Sequence, residues 1–245
     1  MRSGKDFTDK KHELCCIFFQ HSFFIKKRLL RNYLKMKKKF FFALAITVSG
    51  FMSSQTVDSD SPFKFGLKAG YNLSSMKFFD TKLDSKSYFY AGFAGEMPVS
   101  SKVGIQAEVL YTQLGGRESL PLVQLIGNEI VESGDVDFNY QFSQIQIPVS
   151  VKYYFIPNFS ASAGMNFGFN LSEKLKTDGI VNGTQSQDLE GFKTLNLFPF
   201  LGAEYKLNDR FFVDARYNFN FFDVNKKGFT TKIGFLQAGV GYRFN

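Results

Sequence analysis

Beyond residue 54 the sequence contains no cysteine and no histidine: Cys15, Cys16, His12 and His21 all lie ahead of it. Their absence removes disulfides, thiolate nucleophiles, histidine-based triads and nearly all zinc sites from that part of the chain. Only carboxylate chemistry remains, so no enzyme activity, no metal site and no cofactor is expected. Long apolar runs are scarce as well. The one that exists, Phe40 to Met52, has 13 residues, against the roughly 20 that a membrane-spanning helix needs. It follows Met36-Lys37-Lys38-Lys39 and leads into Ser53 and Ser54, the three-part layout of a secretory signal peptide. Residues 36–54 are therefore read as a cleavable signal, 1–35 as an over-extended start, 55–62 as a short periplasmic lead-in and 63–245 as the folded domain.

A basic surface is also missing once the leader is set aside. Residues 1–54 hold 12 of the 30 Lys/Arg and 3 of the 22 Asp/Glu, which leaves 18 basic against 19 acidic residues. The formal charge of +8 belongs to the leader, and the electrostatic footprint of a nucleic-acid partner is absent.

What is present from Phe63 onward is period-2 alternation in stretches of about ten residues, the pattern of a transmembrane strand. Between 159 and 171 the odd positions are Phe159, Ala161, Ala163, Met165, Phe167, Phe169 and Leu171, and the even ones Ser160, Ser162, Gly164, Asn166, Gly168 and Asn170. The same division runs through 65–74, 103–111, 144–155 and 211–220, and three further segments near 88–97, 194–207 and 232–244 complete a set of eight. Short connections (98–101, 156–158, 208–209) carry Pro, Asn, Asp and Ser, the residues of tight turns. They alternate with long ones at 76–87, 115–137, 172–192 and 222–231. Short periplasmic turns and long outer loops in strict alternation predict an all-β fold: an eight-stranded antiparallel up-and-down barrel in an outer membrane. A soluble sandwich has no reason to alternate in this way. Outward aromatics fall into two sets, one toward the short turns (such as Phe65, Phe155 and Phe211) and one toward the long loops (such as Tyr71, Phe89 and Tyr217), as two interfacial girdles would.

If the polar faces point inward, the interior collects Lys68, Lys152, Arg216 and Arg243 together with Glu96, Glu108, Glu204 and Asp214. Four charges of each sign balance. An eight-stranded barrel has an interior just wide enough to be filled by side chains, so these charges must pair or suffer a desolvation penalty of roughly several kcal/mol each. The expectation is a structural charge network that plugs the barrel, with a polar conduit or small-ligand site as the alternative. In the longest loop, Glu118, Glu129, Glu132, Asp135 and Asp137 lack the spacing of a calcium loop and read as a solvated acidic surface. The adjoining apolar stretch 120–126 is suited to extending the flanking strands or touching a partner. Asn182-Gly183-Thr184 matches a glycosylation acceptor, but a bacterial envelope gives no expectation of its use.

The strings GLKAGYNLS at 66–74, AEVLYTQLGG at 107–116, IQIPVSVKYYF at 145–155 and the closing DARYNFNF and GVGYRF resemble the PorT-like outer-membrane barrel domain of Bacteroidetes. The resemblance covers 63–245. It implies an eight-stranded barrel with variable outer loops and no catalytic motif. The last strand, ending Tyr242-Arg243-Phe244-Asn245, is similar to the C-terminal signal read by the barrel-assembly machinery, although such signals usually finish on the aromatic itself. The expected partners are outer-membrane lipid, that machinery during insertion, and a surface or periplasmic protein of unknown identity. The expected role is a small non-enzymatic envelope component acting through its outer loops, or alternatively a transport or protein-secretion accessory.

Overall fold

The computed structural model describes residues 63–78, 81–126, 129–178, 184–226 and 230–244. The segments read as signal peptide, over-extended start and lead-in, and most of the Asn182-Gly183-Thr184 match, lie outside the described residues. Among the described residues there are ten strands: β1 (Lys64–Phe78), β2 (Thr81–Lys82), β3 (Asp84–Pro98), β4 (Val103–Ile126), β5 (Glu129–Ile156), β6 (Phe159–Asp178), β7 (Gln185–Asp188), β8 (Leu195–Lys206), β9 (Phe211–Asn218) and β10 (Thr231–Arg243). Eight of them form a closed antiparallel ring in the order β1-β3-β4-β5-β6-β8-β9-β10, and β10 returns to β1 from Gly66↔Arg243 to Phe78↔Thr231. Closure leaves no unpaired edge inside the ring, the condition under which strands can cross a lipid layer. The short β2 and β7 pair with the far ends of β1 and β6.

The tight turns form where Ser, Pro and Asn occur. Between β3 and β4 the amides of Val99 and Ser100 donate to the Val103 carbonyl. Between β8 and β9 the Asn208 carboxamide oxygen accepts from the amides of Arg210 (2.9 Å) and Phe211 (2.7 Å), a side chain standing in for a backbone turn.

At the opposite end the strands run on past the ring. The 115–137 and 172–192 segments, expected as loops, are largely strand. β4 and β5 stay paired as far as Ile126↔Glu129, whereas β3 leaves β4 at Asp84↔Arg117 and β6 leaves β5 at Asp137↔Asp178. Residues 118–126 and 129–136 thus make a two-stranded ribbon projecting beyond the ring. The apolar stretch 120–126 is part of it and extends the strands.

Burial alternates along every ring strand because successive side chains point to opposite faces. On β5, Gln144, Gln146, Pro148, Ser150 and Lys152 are buried while Val149, Val151 and Tyr153 are exposed. Pro148 has no N–H to offer, and the pairing between β4 and β5 is interrupted there, between Ala107↔Val149 and Leu110↔Gln146. Large inward residues face glycines: a Cβ on Gly241 would overlap the ring of Phe212, its pairing partner, so any larger residue there displaces that ring.

Candidate functional site: the charged barrel interior

The interior is filled in layers, beginning at the short-turn end. There Glu96 (β3), Lys152 (β5), Glu204 (β8) and Arg243 (β10), one residue from every second strand of the ring, form a closed cycle of opposite charges. Lys152 Nζ lies 3.0 Å from Glu96 and 2.8 Å from Glu204. Arg243 Nη2 lies 3.2 Å from Glu96 and 2.5 Å from Glu204. The Tyr154 hydroxyl donates to Glu96, and the Arg243 guanidinium sits over the Phe212 ring at 4.5 Å, a cation–π contact.

The second cycle uses Lys68 (β1), Glu108 (β4) and the pair Asp214 and Arg216 (β9). Lys68 Nζ is 2.6 Å from Asp214 and 3.4 Å from Glu108. Arg216 Nη2 is 2.5 Å from Glu108 and 3.5 Å from Asp214. Gln106 donates to Glu108, and Tyr90 lies beneath Lys68. All eight charged residues named from the alternating pattern are thus placed in two neutral rings, four in each, and every carboxylate touches two cations. This is the geometry in which burial of charge is tolerated, since an unpaired ion in low dielectric costs several kcal/mol.

Above the charges lies a belt of amides that alternation alone does not single out. Gln144 donates to Asn170 (2.6 Å), Asn166 to Gln146 (3.2 Å) and Asn218 (3.1 Å), and Gln237 to Gln146 (3.2 Å). Asn72 donates to the Thr112 hydroxyl at 2.5 Å on the other wall.

Toward the long-loop end the interior turns apolar. Met76, Leu114, Phe142, Phe198, Ile233 and Phe235 are all buried and form one cluster, with Leu83, Phe192 and Val224 folded over it from the connections. Phe142 meets Phe192 edge-on at 4.8 Å, and Phe198 meets Phe235 at 5.2 Å. The expectation of a polar inner face therefore holds for the lower layers and gives way to this cap above them. Its signal was hidden because β8 and β10 carry large apolar residues on both faces: Leu195, Leu201, Leu236 and Val240 outward, Phe198, Phe200, Ile233 and Phe235 inward. Two interior cavities of about 10 Å³ each, lined respectively by residues that include Glu96 and Arg243 and by residues that include Lys68, Glu204 and Asp214, have room for a single water apiece.

Asp137 accepts from the Ser119 hydroxyl (2.6 Å) and pairs with Arg117 (2.7 Å), and those two contacts hold its carboxyl below the usual range. Among the described residues no group of acids is gathered for a metal.

The outer wall is the reverse of the inner one. Leu67, Tyr71, Leu73, Val149, Val151, Leu201 and Val240 are exposed and continuous around the ring, an apolar belt far larger than water tolerates on a monomer. Aromatic ring contacts cluster at its short-turn end, among Phe65, Phe244, Phe211 and Tyr242, and again nearer the long loops, at Tyr71–Phe89 and Tyr217–Phe219. A family model for the outer membrane protein beta-barrel domain matches residues 52–226. The chain belongs to that family. This outer-membrane barrel therefore sits in the outer membrane of a Gram-negative bacterium, with its belt in lipid.

Solved structures of small barrels are similar to it. Ail, the attachment invasion locus protein of Yersinia pestis, solved in complex with the heparin analogue sucrose octasulfate, is 19% identical with a TM-score of 0.46, over 75% of this chain and 100% of that one. Neisserial surface protein A is 14% identical with a TM-score of 0.47, over 74% and 97%. OprG of Pseudomonas aeruginosa is 16% identical with a TM-score of 0.32, over 74% and 96%. Similarity at this level transfers no property of those proteins to the barrel domain. No curated protein matches the chain.

Proposed function

We propose that this protein is a closed, non-enzymatic barrel of the cell envelope that meets other molecules through its outer hairpins. The observation that carries the reading is the filled interior: two neutral charge rings, an amide belt and an apolar cap stacked on one axis. A conduit needs a continuous water column, and an apolar constriction opposes it by dewetting. Hydrolytic or acyl-transfer chemistry lacks its usual groups, since no His or Cys follows residue 54 and each interior carboxylate is engaged by two cations. The test is planar-bilayer recording from the purified monomer. The expected result is no stable step, and steady ion-sized conductance overturns the reading.

Within the family, the strings at 66–74, 107–116 and 145–155 favour the PorT-like branch of Bacteroidetes. The alternative role on that branch is a transport or protein-secretion accessory. The feature that favours it is the projecting β4–β5 ribbon, a rigid platform of the kind on which recognition is carried. A deletion strain that secretes its cargo normally rules the accessory role out.

A further inference from the structure

The outward face of β10, β1 and β2 carries three lysines side by side. Lys77 is paired in register with Lys232 on one flank and with Lys82 on the other. Met76 and Leu83, their neighbours in sequence, are buried in the cap, so the alternation of the strands turns Lys77 and Lys82 to the outside, where both are exposed. Like charges directly opposite one another across a ladder destabilise a sheet. None of the three lysines is in an ion pair within the described residues, although two acids flank the row: Asp84, exposed two residues beyond Lys82, and Asp223, whose carboxylate accepts from the Thr231 amide next to Lys232.

The height of the row on the barrel is informative. The last outward apolar pair is Leu73↔Leu236; above it come Ser75↔Gly234 and then Lys77↔Lys232. Four residues at ~3.3 Å each give about 13 Å along the strand, or roughly 10 Å of rise at the tilt of a membrane barrel. Lysine stems lying back along the wall bring their ammonium groups down to the layer just above the hydrocarbon. Beneath the row, Gly234 is covered by its neighbours: a Cβ there would lie 3.3 Å from the Asn220 side chain and 3.5 Å from the Tyr217 hydroxyl. A phenol hydroxyl and the Ser75 hydroxyl thus adjoin the lysine row.

We propose that this row, Lys77, Lys82 and Lys232, is a binding site for the phosphate-bearing headgroup of an anionic lipid in the outer leaflet, with the acyl chains lying on the apolar wall formed by Leu73, Tyr71 and Leu236. The ligand supplies negative charge to three lysines that no ion pair within the described residues neutralises, and the lipid-facing position selects a lipid over a soluble anion. The proposal rests on the outer-membrane placement and is independent of whether the interior conducts.

The test is titration of the folded barrel in detergent, followed by native mass spectrometry, with bisphosphorylated lipid A, its dephosphorylated form and inorganic phosphate as probes. The wild type is expected to take up the bisphosphorylated lipid and neither of the others, with affinity that falls as salt rises. The K77Q/K82Q/K232Q variant is expected to bind it about 100-fold more weakly, on the order of fivefold for each lysine at an anionic surface. The corresponding triple Lys→Arg variant should retain binding. Heat-modifiable mobility of each variant establishes that it is folded. Asp80, outside the described residues, is changed to Asn in a further variant, for which unchanged or tighter binding is expected. Equal binding of the dephosphorylated lipid, full binding by the triple Gln variant, or loss of binding on D80N overturns the proposal. Uptake of inorganic phosphate as tight as that of the lipid overturns the lipid assignment.

Discussion

Glu108 shows at a single position how the interior is held. Its carboxylate is reached by Lys68, Arg216 and Gln106, with almost no exposure to solvent. Replacing it with Leu would leave Lys68 and Arg216 to share Asp214, with one positive charge uncompensated in low dielectric, and about 3–5 kcal/mol of stability should be lost. Adding Lys68→Met to Glu108→Leu restores neutrality and leaves Arg216 with Asp214, so the double variant should be less destabilised than the single one. Urea unfolding in lipid vesicles over the full double-mutant cycle measures this coupling; additive losses would show that the ring does not act as a unit. That these eight charges share one face was legible, because period 2 assigns a face without reference to any other strand. Which acid meets which base was not. Glu96 and Arg243 are 147 positions apart, and their meeting depends on the stagger of strands around the ring.

The turns at 98–101 and 208–209 were legible as elements, since Pro, Ser and Asn there serve geometries that few other residues serve. The far ends of the strands were not. Alternation fades where both faces become wet, so 115–137 reads as a loop, and only its apolar stretch 120–126 hints that β4 and β5 stay paired to Ile126↔Glu129. The ribbon beyond Arg117 and Asp137 takes no part in the ring, and its removal should be tolerated. Replacing residues 119–135 with a two-residue turn is expected to leave heat-modifiable mobility and β content intact, as followed by gel shift and circular dichroism. Loss of the folded band would mean that the ribbon holds the lower β4–β5 ladder in place.

Over the whole molecule two independent closures are stacked, the charge rings and the apolar cap. Phe142 and Phe198 belong only to the cap. Their joint replacement by Ala should cost several kcal/mol, roughly 3–5 for each buried ring. The same double variant should stay electrically silent in a planar bilayer, because the rings below it remain intact. Conductance in this variant, absent from the wild type, would assign the seal to the cap alone. The cap was hidden from sequence inspection because a Phe-rich chain offers aromatic residues to both faces of a strand. Only register shows that Phe198, Phe235 and Phe142 converge.

The sequence by itself determined the class of this protein: alternation and spaced turns make strands that bury polar groups on one face and present apolar ones on the other, and such strands are at rest only as a closed barrel in lipid. It determined the face of each interior charge for the same local reason. Closure and stagger decided the rest. They set the two four-membered charge rings, the apolar cap and the lysine row at the outer rim, because each of these joins residues far apart in the chain whose proximity exists only once the last strand has paired with the first.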